Sequence, residues 1–168
     1  FDWILDVETD GSANGGVTDD HARFEHQFRS EIRRLYAHHT RAGPYSGGAN
    51  YGVNLNASTS ETLVIDSISV LMNKPMQTNC AGPGNVMAYN YVDDTSANGG
   101  DWMDGAINGS HQSFTHHLLV EGNWAANIGC DTTHGNSGYM AFLRNYAHGR
   151  SSTYANGNNL RAANSDAW

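Results

Sequence analysis

Short apolar clusters alternate along the chain with segments rich in glycine, asparagine and serine. Residues 85–94, NVMAYNYVDD, are typical. Val86, Ala88, Tyr89, Tyr91 and Val92 favour a β-strand, yet Asn90 stands near its middle. Asparagine is depleted in strands because its side chain competes for backbone hydrogen bonds. The position is repeated. The segments LVIDSI (63–68), MAYNYV (87–92), LVEGNW (119–124) and FLRNYA (142–147) superpose with Ser67, Asn90, Asn123 and Asn145 in one column. A weaker copy, IRRLYA (32–37), puts Leu35 there, and the column advances by 32, 23, 33 and 22 residues. Only HARFEHQFRSEIRRLYAHH (21–39) has any helical period, and its second half aligns with the repeat, so it too is predicted as strand.

A period in the low twenties, with short strands and a polar residue at a fixed place, predicts an all-β parallel β-helix of about five coils. Equivalent residues of successive coils then stack about 4.8 Å apart. Side-chain amides in one column can bond from coil to coil as an asparagine ladder, which satisfies polar groups that would otherwise be buried alone. Strict alternation predicts that Leu63, Ile65, Val86, Ala88, Leu119, Ala141 and Leu143, which share the ladder's parity, point inward. Glu121 then becomes an inward carboxylate, and Arg34, Asp66, Tyr89, Gly122 and Arg144 form an outward column. The additional residues of the two longer steps are predicted as external loops, 96–109 being the clearest.

Abundant glycine and a similar amount of asparagine suit a turn-rich β protein. At 168 residues the chain reads as one domain, 1–168, with a repeat core over about 21–150 and polar end segments at 1–20 and 151–168. The opening FDWILDVETD, without methionine or leader, is expected of a processed chain or a piece of a longer one. A formal net charge of −8 argues against a nucleic-acid partner, which needs clustered Lys and Arg. No apolar run approaches the length of a membrane-spanning helix. Cys80 and Cys130 are open to two readings, a single bridge or two buried thiols. Asn56-Ala-Ser58 and Asn108-Gly-Ser110 fit the glycosylation sequon.

The strings EIRRLYAHH, NVMAYNYVDD, HHLLVEGNW and DTTHGNSGYMAFLRNYAHGR resemble the right-handed β-helix proteins of the pectate-lyase-like superfamily, over roughly residues 21–150. That resemblance implies a right-handed solenoid located outside the cell or at its surface. It also implies a polysaccharide lyase or glycoside hydrolase acting on an acidic polysaccharide, with Ca²⁺ as the cation. Members of the superfamily usually have more coils and dedicated end caps. A five-coil solenoid with uncapped ends is therefore expected to be covered by further chain or by self-assembly.

Stacking turns spacing into proximity. Three places past the ladder column stand His38, Val70, Asp93, Ala126 and His148, and four past it stand His39, Leu71, Asp94, Asn127 and Gly149. Asp93 and Asp94, with the loop residues Asp101 and Asp104, form the most acidic patch, and the resemblance makes the first two the candidate metal ligands. A lyase needs a base to remove the proton beside the sugar carboxylate, for which the resemblance suggests Arg144 or the lone Lys74. Asp131 and His134, three apart in a turn, can form a hydrogen-bonded pair in which the carboxylate makes the imidazole more basic. Trp102, Tyr89 and Tyr139 can stack on sugar faces, whereas Tyr91, Trp124 and Tyr146 read as an aromatic stack supporting the coil. Nine histidines raise the question of a transition metal. In regular strands, however, the adjacent pairs His38/His39 and His116/His117 would each offer only one ligand per surface.

The expectation is a carbohydrate-active β-helix with its groove beside Asp93, Asp94, Trp102, Asp131, His134 and Arg144. The alternative is a non-catalytic structural or adhesive module joined to neighbours through its ends.

Overall fold

The computed structural model describes residues 1–12, 20–39, 51–95, 105–130 and 134–149. Among them every regular element is a strand, and the strands form three parallel sheets. Sheet A stacks β1 (Trp3–Leu5), β4 (Glu31–Arg33), β7 (Leu63–Ile65), β10 (Val86–Ala88), β13 (Leu119–Glu121) and β16 (Ala141–Leu143). Sheet B stacks β2 (Glu8–Asp10), β5 (Tyr36–His38), β8 (Ile68–Met72), β11 (Tyr91–Thr95), β14 (Trp124–Ala125) and β17 (Tyr146–Ala147). Sheet C stacks β3 (Asp20–Glu25), β6 (Tyr51–Asn56), β9 (Lys74–Asn79), β12 (Ile107–Asn108) and β15 (Ile128–Gly129). The chain visits A, B and C in turn, then returns to A beside its previous strand, as in a solenoid.

The register of the repeat is the one the sequence predicts. Arg33, Ile65, Ala88, Glu121 and Leu143 are successive partners in sheet A, and Tyr36, Ile68, Tyr91, Trp124 and Tyr146 in sheet B. The stretch 21–39 is strand rather than helix. The weak earlier copy extends further back than the sequence suggested. Trp3–Leu5 pairs with β4 and Glu8–Asp10 with β5, so residues within the polar segment 1–20 contribute strands of their own. Within 96–109, Ile107–Asn108 is a strand of sheet C, and 96–104 lie outside the described residues.

The predicted alternation fails at one place, for a clear reason. In sheet A the fully buried residues are Ile32, Val64, Met87 and Val120, while Leu63, Ile65, Val86 and Leu119 are half-buried and Leu143 is exposed. Between sheets A and B sits one residue of positive φ in every pass: Asp6, Arg34, Asp66, Tyr89, Gly122 and Arg144, with φ between 53° and 65°. A left-handed residue turns the chain and resets the parity, so the ladder residue beyond it points inward although the strand residue two places before it does not. Glu121 is accordingly not a core carboxylate. It lies on the outer side and receives Arg144. Residues from all three sheets, among them Val64 and Met87, Ala37 and Val92, and Val53 and Met76, form one buried cluster.

Cornering leaves backbone groups that the strands do not pair, and the asparagines answer them. Ser67 N–H donates to Asn90 Oδ1 (3.0 Å), Asn90 N–H to Asn123 Oδ1 (2.9 Å), and Asn123 N–H to Asn145 Oδ1 (2.9 Å). The amide nitrogens donate to carbonyls of the preceding pass, from Asn90 to Val64, Asn123 to Met87 and Asn145 to Val120. Asn90 Nδ2 also reaches Asn123 Oδ1, and Asn123 Nδ2 reaches Asn145 Oδ1. The polar defect in the strand is thus a rung. Two further amide sets went unpredicted. Asn85 bonds Thr62 N–H and the carbonyls of Thr59 and Gly82 between sheets C and A, and Asn79 donates to Asn54 within sheet C.

Cys80 and Cys130 are not bridged. Cys80 is half-buried and Cys130 exposed, so the second alternative fails for Cys130 as well. Asn108 is buried, with Oδ1 held by Ser110 N–H, which closes that sequon to a glycan in the folded state.

Removing one rung should leave Ser67 N–H buried without its partner and strip the Val64 carbonyl of its side-chain donor. Asn90→Ala is expected to lower the unfolding free energy by roughly 3 kcal/mol, read from urea midpoints at unchanged slope. A loss under about 1 kcal/mol would mean that the ladder is not what holds the corner.

Candidate functional site

The longer passes insert their extra residues at one place, between sheets B and C: β5 to β6 and β11 to β12. The chemically distinctive side chains gather along the same edge. At the end of β11, Asp93 Oδ1 faces His148 Nε2 (3.1 Å) across an intervening pass, and Asp93 Oδ2 accepts from the Tyr91 hydroxyl (2.9 Å). Asp94, at φ 49°, donates its own N–H back to Asp93 Oδ1 (2.8 Å). Burial, and then the Asp93 charge, push the Asp94 carboxyl above its usual value of 3.8, and His148 opposes them. Two neighbouring carboxyls thus differ in environment. One is anchored by donors, and the other is inclined to keep its proton. His148 was visible in the sequence only as one member of a column.

Outside this edge runs the aromatic column. Tyr91 and Trp124 stack with ring centroids 6.3 Å apart, and Trp124 and Tyr146 lie 4.4 Å apart. Tyr36 and Ile68 extend the column in register, and all five are exposed. The sequence reading of Tyr91, Trp124 and Tyr146 as a stack holds, but the stack faces solvent.

The other candidates stand elsewhere. Tyr89 and Arg144 belong to the corner between sheets A and B, where both approach Glu121. Gly122 leaves room there for the Tyr89 ring, which a Cβ would meet at 2.5 Å. His134 packs edge-on against His111, and Tyr139 stacks on His117, on the stretch leading from sheet C to sheet A. Lys74 is buried with its ammonium over the Tyr51 ring. Trp102, Asp101, Asp104 and Asp131 lie outside the described residues.

Among the described residues, one group of three could close on a single metal ion: Asp10, His38 and His39. Parallel register pairs Asp10 with His38. His39 should face the opposite surface, but its φ of 53° swings it back, so that the two Nδ1 atoms lie 2.8 Å apart. The expectation of one ligand per surface fails here for the same reason as the alternation in sheet A. Glu8 Oε1 accepts from His38 Nε2 (3.0 Å), and Ser12 N–H holds Asp10 Oδ1 (2.8 Å), which draws the Asp10 carboxyl below its usual range. Behind them, burial lowers the proton affinity of His21. As a neutral ring it donates Nε2–H to the His39 carbonyl and accepts the Thr9 hydroxyl at Nδ1. Asp93 and Asp94 gather no third His, Cys, Asp or Glu of this kind among the described residues.

Because the folded state binds the Asp94 proton more tightly than the unfolded chain, this group's stabilisation is fully present below 3.8 and fades as pH rises through the raised value. Asp94→Asn is therefore expected to gain stability over the parent as pH rises from below 3.8 to neutrality, read from paired urea melts. A difference that stays flat with pH would contradict the raised carboxyl.

No family model matches this chain, and no curated protein or solved structure matches it either.

Proposed function

We propose that this protein is a right-handed parallel β-helix, resembling the pectate-lyase-like superfamily, that works outside the cell or at its surface on an acidic polysaccharide. The observation that carries the reading is the exposed column Tyr36–Ile68–Tyr91–Trp124–Tyr146, running beside Asp93, Asp94 and His148. Flat, amphipathic faces repeated at the strand spacing suit a chain of sugar rings laid along the solenoid. Tyr91 belongs to both features, since its ring joins the stack while its hydroxyl binds Asp93.

Cleavage of a glycosidic bond by hydrolysis needs one carboxyl that keeps its proton and one that stays ionised. In this proposal Asp94 gives its proton to the leaving oxygen as its bond to the sugar carbon breaks, and a water then adds to that carbon and returns a proton to Asp94. Asp93, held by Tyr91 and His148, supports the developing positive charge on the sugar. In a lyase the same edge must instead neutralise the substrate carboxylate. Ca²⁺ at Asp93 and Asp94 would then take its remaining oxygen ligands from the uronate itself. Arg144 and the Asp131–His134 pair remain candidates for the base. Arg144 is engaged by Glu121, so removing its proton means first breaking that pair.

A second reading has its own support. Sheets A and B end in β1, β16, β2 and β17, and Phe1, Trp3, Leu143 and Tyr146 expose apolar surface near those ends. A non-catalytic structural or adhesive module would use these edges to join further chain. No helix among the described residues is long and apolar enough to cross a membrane.

The test is turnover on pectate, alginate and neutral glucans, with Ca²⁺ or with chelator, following both unsaturated product and new reducing ends. Hydrolysis predicts reducing ends without unsaturation, and a rate in Asp94→Asn lower by about 10²–10⁴. A lyase predicts unsaturated product that requires Ca²⁺. Under either, Trp124→Ala is expected to weaken polysaccharide binding about tenfold. Absence of turnover and binding in a folded sample whose mass rises with concentration would favour the assembly module.

A further inference from the structure

We infer that Asp10, His38 and His39 form a binding site for a divalent transition metal ion of the zinc type, at the end of sheet B remote from the Asp93–His148 pair. The inference is independent of the carbohydrate reading.

Three features of the geometry point to an ion. The donor atoms already converge: Asp10 Oδ1 lies 3.6 Å from His38 Nδ1 and 3.7 Å from His39 Nδ1, and the two nitrogens are 2.8 Å apart. Ligand bonds of about 2.0–2.2 Å in a tetrahedron place donor atoms roughly 3.3 Å from one another, so small side-chain rotations suffice. The donor set, two imidazoles and one carboxylate, suits a borderline ion such as Zn²⁺ and not Ca²⁺, which takes six or more oxygens.

The proton inventory also fits. Glu8 fixes His38 with its proton on Nε2, which leaves the Nδ1 lone pair pointing at the site. In the metal-free protein His39 Nδ1–H donates to that lone pair. Moving the His39 proton to Nε2 turns both Nδ1 atoms toward the ion, without either ring changing charge. A carboxylate behind a ligating histidine is the usual arrangement that orients the ring and raises its basicity.

The surroundings are rigid where a site needs rigidity. His38 is buried, and its ring packs on Tyr36 with centroids 4.4 Å apart. Gly11 N–H binds the His38 carbonyl (2.9 Å), and a Cβ at Gly11 would meet the His39 carbonyl oxygen at 2.0 Å. His21 Nε2 binds that same carbonyl (3.0 Å). The backbone that turns His39 toward His38 is therefore clamped by two groups. Three protein ligands leave a position for water or for an anionic ligand, as open zinc sites do.

The experiment is titration of the untagged full chain with Zn²⁺ by calorimetry, and with Co²⁺ by visible absorption, against Ca²⁺ as control. One equivalent of Zn²⁺ is expected to bind with micromolar or tighter affinity and to raise the melting temperature, while Co²⁺ gives the intense bands of a low-coordinate site. His39→Ala, whose parent side chain is partly exposed, and Asp10→Asn are expected to lose at least tenfold in affinity while keeping the parent's circular dichroism. Glu8→Gln should lose about 10–100-fold, since it acts through His38. His117→Ala, altering the other adjacent pair, should bind as the parent does. Absence of saturable binding, or affinity that survives in His39→Ala and Asp10→Asn, or falls only in His117→Ala, would overturn the assignment.

Discussion

A parallel solenoid has to turn three times in every pass, and each turn interrupts the hydrogen-bond ladders. The structure depends on how the corner between sheets A and B meets that demand. A single left-handed residue turns the chain, and the next residue reaches inward to the passes on either side. At Asn90, Asn123 and Asn145 one amide both accepts and donates, which no apolar side chain can do. Left-handed φ at Arg34, Asp66, Tyr89 and Arg144 costs about 1–2 kcal/mol each. It persists because pairing on both sides holds the corner in place. Tyr89 N–H, for example, donates to the Glu121 carbonyl (2.9 Å).

The same device explains what the sequence disclosed and what it hid. A column of one serine and three asparagines at steps of 23, 33 and 22 is visible in the letters, and it was enough to set the register of sheets A and B. The left-handed corner is invisible, because five of its six residues are Asp, Arg or Tyr instead of glycine. Counting parity across it put Leu63 and Ile65 inside in place of Val64, and made Glu121 a core charge. A second left-handed residue, His39, misled the reading of the histidine pair in the same way. The first pass escaped notice because Val7 and Leu35 occupy the places where later passes have Ser67 and the asparagines.

Of the candidate site, the columns beginning at His38 and His39 were legible, and they hold Asp93, Asp94 and His148 in register. The direction in which each side chain points was not. Asp93 reaches past one pass to His148, a contact that emerges only once the coils are stacked. Arg144 was a candidate base through the resemblance alone, and its pairing with Glu121 shows only once the coils are stacked. The edge between sheets B and C combines the acidic pair, His38, His39 and His148, and the points where the longer passes depart.

The ladder also has a beginning. It starts at Ser67, and the two passes before it are joined at that corner through Val7 and Leu35, whose side chains cannot bridge. In a stack where each layer touches only its neighbours, opening begins at the layer with the weakest interface and travels inward. The first two passes meet at that corner without a side-chain rung between them. An ion gripped by Asp10 on one of these layers and His38 and His39 on the next would act as a clasp across the seam that the ladder leaves without a rung.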